Sequence, residues 1–173
     1  MKIEPVLFLL LALLFASSAA FGFSDKVLTG PFSASYKINT TENFTTNASE
    51  PLKHDDFNEY DFQIMAGPFK RELIDVVIDD YKNSTDVSES ALTDLITNRV
   101  ATQSYKATWG RVNIGGIPGM GTKIRSPGKS SYFAAYSPDG SNNTGRTIVL
   151  IQSFASQDVT DSFLRDLQVM RVS

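Results

Sequence analysis

The chain contains no cysteine among its 173 residues. That absence removes disulfides, thiolate nucleophiles, thiolate metal sites and a lipidated N-terminal cysteine together. There is one histidine, His54, which sits in the run KHDD beside Asp55 and Asp56. A single imidazole without a thiol is a poor basis for a transition-metal centre. No G-x-S-x-G motif accompanies it to supply a nucleophile, so no catalytic residues are assigned and no cofactor is expected. His54 reads as a solvated loop residue. Acids are missing from one long stretch: residues 95–138 carry six basic side chains and no Asp or Glu. Residues 23–94 carry six basic and fourteen acidic side chains, and residues 139–173 carry three and four. The formal net charge of −3 therefore hides a segregated pattern.

Long apolar runs are also scarce. The one example is Val6–Phe15 (VLFLLLALLF), preceded by Lys2 and followed by the small residues Ala16–Ala20. That is the layout of a secretory signal, with cleavage after Ala20 or Gly22. The alternative is an uncleaved anchor, since Val6–Phe23 runs 18 residues without a charge. Residues 1–22 are thus read as signal peptide or anchor, and residues 23–173 as one domain. The protein is expected outside the cell, either secreted or tethered at the outer face of the membrane.

A second feature points the same way. Asn39, Asn43, Asn47, Asn83 and Asn142 each begin an Asn-x-Ser/Thr glycosylation triplet. Nine Asn and 33 Ser or Thr in 173 residues would give about two by chance. There are five, and three fall between Asn39 and Ser49.

Apolar periodicity supplies the elements. Phe32, Ala34, Tyr36 and Ile38 share one parity and predict a strand. Thr40–Asp56 is polar and reads as a long loop. Tyr60–Met65 and Glu72–Tyr81 alternate as strands, with a break at Gly67–Pro68 between them. Ser84–Val100 switches to a helical stripe of Leu92, Leu95, Ile96 and Val100, capped by Asp86 or Ser88. Tyr105–Ile114 is extended and changes parity at Gly110, where a bulge is expected. Gly121–Ser126, Ser131–Ser137 and Gly145–Phe154 are further strands. The last is apolar on both parities and should be covered on both faces. Asp158–Val172 reads as a closing helix. Short Gly, Asn and Pro connections favour antiparallel pairing. The expected fold is α+β, an antiparallel sheet of about six to seven strands with two packed helices.

The element order, with GPFSASYKINTT, the turn NIGGIPG and the closing SFASQDVTDSFLRDLQVM, resembles uncharacterised small exported proteins of methanogenic archaea with a PsbP/Mog1-like domain. The resemblance spans nearly all of residues 23–173. It implies a sandwich fold and an exported address. Its motifs are turns and core positions, so it implies no activity.

The acid-free stretch includes NIGGIPGMGTKIRSPGKSS, Asn113–Ser131. A phosphate loop needs a helix after its glycines. Here TKIRS alternates like a strand, and the order G-x-x-G-x-G fits neither phosphate motif. A hairpin with its tip at Pro118–Gly121 explains the same residues. If Arg111–Ile114 pairs with Gly121–Arg125, then Arg111, Lys123 and Arg125 share a face. Such like charges repel unless Asp75, Asp79 and Asp80 lie alongside. Otherwise, with Lys129, they form a basic patch for an acidic polysaccharide or lipid head groups. No nucleic acid is expected, because no stacking-aromatic motif accompanies the cations.

Other candidates have plainer readings. Glu50, Asp55, Asp56, Glu59 and Asp61 could gather a hard cation, but a surface charge run explains them. Asp139–Gly145 places oxygens like a calcium loop and lacks its glutamate, so a hairpin turn is favoured and no metal is assigned. Trp109 and the tyrosines at 105, 132 and 136 could form a sugar platform, but parity favours core packing. The leading expectation is a binding or structural module of the cell envelope. A carrier of small apolar ligands, with Phe133, Ile151 and Phe163 lining a cavity, is the alternative. A hydrolase ranks last.

Overall fold

A computed structural model describes residues 22–40, 42–66, 71–100, 106–126 and 129–172; side chains 71, 72, 106, 126 and 129 are not described. Residues 1–21 of the expected signal segment and the expected break at Gly67–Pro68 lie outside the described residues, while Gly22 begins the first strand. The fold is α+β, mostly antiparallel sheet with two helices. The strands are β1 (Gly22–Thr29), β2 (Phe32–Asn39), β3 (Phe44–Ala48), β4 (Leu52–Lys53), β5 (Phe57–Ala66) and β6 (Arg71–Asp86). Helix α1 (Glu89–Val100) follows, then β7 (Lys106–Ile114), β8 (Ile117–Ser126), β9 (Lys129–Tyr136) and β10 (Thr144–Ser153). Helix α2 (Gln157–Asp166) and β11 (Gln168–Arg171) close the chain.

The strands form two sheets. The small one has the order β1-β2-β11, and the large one β3-β5-β6-β10-β9-β8-β7 with β4 added to β5. One face of the large sheet packs against the small sheet and α2. Phe32, Ala34, Tyr36 and Ile38 meet Phe62, Ile74, Val149 and Phe163 there. The opposite face carries Val77, Ile148, Leu150 and Phe133, which bury Leu92 and Ile96 of α1. β10 therefore feeds both cores, as its double apolar parity requires. Ser88 caps α1 by accepting from the Ala91 amide at 3.4 Å, and Ser156 accepts from the Val159 amide at the start of α2.

Four sequence expectations are corrected. The polar stretch at 40–56 is not all loop, because β3 and β4 add to the edge of β5 through main-chain bonds with little burial. The closing helix stops at Leu167, which turns extended at φ −68° and ψ 126°. The chain then completes the free edge of β2, with Val169 opposite Ala34. There is no bulge at Gly110, which pairs squarely with Gly121. The parity change instead marks two environments along one strand. Ile114 and Val112 pack into the core beside α2, whereas residues 107–111 are all exposed.

The fourth correction is the hairpin tip. It lies at Gly115–Gly116, with φ of 58° and 90°, three residues earlier than expected. Ile114 and Ile117 close this two-residue turn. A side chain at Gly115 would also collide with the Leu167 carbonyl, 1.9 Å from a Cβ placed there. Two glycines in the left-handed region form the tight turn that matches strand twist.

Candidate functional site

The turn position decides which cations share a face. In a two-residue hairpin each odd-numbered residue of β7 opposes an even-numbered one of β8. Arg111 opposes Met120, while Thr108 opposes Lys123 and Lys106 opposes Arg125. Directly opposed residues share a face, and faces alternate along a strand. Arg111 therefore lies on the α1 face and Lys123 with Arg125 on the α2 face, so the expected trio is split. Arg111 Nε donates to Glu89 Oε1 of α1 at 2.6 Å. Both groups are exposed, and such a pair contributes at most about 1 kcal/mol. Lys123 Nζ donates to the neutral Gln157 amide oxygen at 2.8 Å. Among the described residues Arg125 has no hydrogen bond or ion pair. The Lys129 side chain lies outside the described residues.

The acids proposed as internal partners are elsewhere. β10 and β9 separate β6 from β8. Asp80 is held by Arg171, whose guanidinium also stands 4.9 Å over the Phe32 ring. Asp79 lies directly across from Glu59, and Glu59 is 3.7 Å from Arg99. Burial, then the Glu59 charge, push the Asp79 carboxyl up to about 6 against the pull of Arg99.

At the edge of the large sheet, β7, β8 and β9 enclose an open cleft of about 490 Å³. Thr108, Trp109, Gly110, Arg111, Gly121, Lys123, Arg125 and Tyr132 line it. Its lining holds two aromatic rings, three cations, two glycines and no carboxylate. Trp109 is 37 % exposed, so parity misread it as core. An edge strand reaching beyond both helices has no layer to bury an indole. Tyr132, opposite Lys123, is half-buried, and burial and then Asp161 push its phenol up, so it stays a neutral donor. Tyr136 is core, and Tyr105 lies outside the described residues. Strand parity alone hid that Trp109 and Tyr132 both line the cleft; the Gly110 signal was visible but was read as a bulge.

The remaining candidates are structural. His54 stacks on Phe57 at 4.3 Å and its Nε2 is 4.0 Å from Glu59, with no hydroxyl against it. Among the described residues no group of three His, Asp or Glu side chains can hold a metal ion. Asp139 instead ties the β9–β10 turn. Its carboxylate accepts from the Ser137 hydroxyl, the Arg146 and Thr147 amides and the Thr147 hydroxyl at 3.0 to 3.3 Å. Phe133 belongs to the α1 core, whereas Ile151 and Phe163 belong to the other. The recess that touches both Phe133 and Ile151 is about 20 Å³, roughly the room one water needs. All five sequon asparagines, Asn39, Asn43, Asn47, Asn83 and Asn142, are exposed, and none lines the cleft. Among the described residues no helix is long and apolar enough to cross a membrane.

No family model, no curated protein and no solved structure matches the chain.

Proposed function

We propose that the chain is an exported binding module of the cell envelope that holds an anionic partner in the β7–β9 cleft. The carrying observation is the state of its cations. Arg125 has no partner among the described residues, Lys123 is held only by a neutral amide, and both face an open cleft with no carboxylate in its lining. Cations without a direct carboxylate partner, in a cleft also lined by Trp109 and the half-buried Tyr132, favour recognition of an anion by contact. No carboxylate or imidazole stands in that lining, and the module is read as acting by binding. Export, the PsbP/Mog1-like sandwich and glycans on the exposed sequons belong to the same proposal. Five exposed acceptors lying clear of the cleft are compatible with a glycan coat that leaves it open.

The test is binding of residues 23–173 to acidic polysaccharides and to anionic lipid vesicles at two salt concentrations. The double variant Lys123→Ala, Arg125→Ala is run beside it. Salt-sensitive binding that the variant lacks supports the proposal. Equal binding by both proteins, or by neither, rejects it.

A further inference from the structure

Among the described glycines, Gly110 is the one that nothing in the fold explains. Every other one either has a positive φ or has a neighbour within 3.2 Å of the Cβ it lacks. Gly110 has neither, and a Cβ built there would meet nothing within 4 Å. It sits inside a strand in unbroken register, so it serves no bulge. Glycine in a strand interior weakens the strand relative to alanine. Where neither backbone nor packing requires it, the remaining reason is close approach by something outside the chain.

The surroundings define what could approach. Gly110 faces Gly121, and a Cβ on Gly121 would lie 2.5 Å from the Tyr132 hydroxyl. The end of the Tyr132 side chain therefore covers the buried Gly121 and walls one side of the bare, exposed backbone at Gly110. Lys123 and Arg125 follow Gly121 at two-residue steps on the same face, about 7 Å apart along the strand. The arrangement is a flat floor, a phenol wall and two spaced cations. A linear polyphosphate or a lipid phosphate needs the cations but not the floor. A sugar ring needs both, because its flat face can rest on Gly110 while its acid group reaches a cation.

We infer that the cleft selects an acidic saccharide chain, with one ring seated over Gly110 and its acid groups on Lys123 and Arg125. This rests on the anion-binding reading above and makes Gly110 its specificity-determining residue. The test compares wild type with Gly110→Val and Gly110→Ala, using an oligogalacturonate and a polyphosphate of equal charge as probes. Melting curves confirm the fold, and the alanine variant answers the question should valine perturb it. Gly110→Val should lower affinity for the oligogalacturonate at least tenfold and leave the polyphosphate within twofold, with alanine intermediate. Unchanged saccharide affinity overturns the inference, as does an equal loss for both probes. If Lys123→Ala, Arg125→Ala binds like wild type, or wild type binds neither probe, the anion-binding reading itself falls.

Discussion

Replacing Asp79 by asparagine should stabilise the protein at pH 8 and not at pH 4. Asp79 is 3 % exposed, its Oδ1 has no hydrogen-bond partner, and it opposes Glu59 on the neighbouring strand. Burial raises its pKa from 3.8 to about 6. An acid whose folded pKa is raised binds its proton more tightly in the native state. The unfolded chain gives up the proton near pH 4 and the native state only near pH 6. Stability is therefore lost as pH rises through that window, and the penalty is complete above it. Two pH units correspond to about 3 kcal/mol. Burying an asparagine amide returns part of that, so the expected gain at pH 8 is about 1–3 kcal/mol. For a domain of this size that is a melting shift of about 3–10 °C. The assay is thermal melting of both proteins from pH 4 to pH 8. His54, Glu59 and Asp61 of the β4–β5 segment, Asp75 and Tyr81 of β6, and Arg99 of α1 are present unchanged in both proteins. The difference between the two curves isolates Asp79. Parallel curves, or an asparagine variant less stable than wild type at pH 8, would refute the reasoning.

Two further substitutions probe the fold. Gly115→Ala should cost at least about 2 kcal/mol in a denaturant titration, since it adds left-handed strain to a collision with the Leu167 carbonyl; a neutral result would move the turn. Arg171→Ala should cost about 2 kcal/mol at neutral pH, because it strands the nearly buried Asp80 carboxylate. Adding Asp80→Asn should recover most of that loss, and failure to recover it would assign the effect to the Phe32 contact instead.

What could be read in the sequence follows from burial. β2, β5, β6, β10 and α1 carry apolar periods because each buries a side, and their places were legible. β3 and β4 contribute chiefly main-chain bonds to an edge, so their residues stayed polar and read as loop. β11 failed for the opposite reason. Val159, Phe163, Leu167 and Met170 keep a helical spacing, but Val169 is buried and Met170 is 57 % exposed, the alternation of a strand. Four residues are too few for one period to outvote another. The free edge of β2, invisible in sequence, decided it.

The basic hairpin was legible in composition and misplaced in geometry, because the register across the turn, odd residues opposite even ones, decides which residues share a face. Had Arg111 paired with Arg125, it would stand on one face with Lys123 and Arg125. The Gly115–Gly116 turn sends Arg111 to the other face, where Glu89 meets it. The same topology keeps the acids away. Asp79 and Asp80 lie on β6, two strands from β8, and Glu59 and Asp61 lie on β5, one strand further. The large sheet thus carries negative charge on its β5–β6 side and positive charge at its β7–β8 edge, although the net charge is −3. Such a field repels a polyanion from most of the surface and draws it to one edge. Lowering salt should therefore speed association at the cleft, while Lys123→Ala with Arg125→Ala should slow it despite the unchanged acidic side. Overall charge predicts neither effect; only the strand order does.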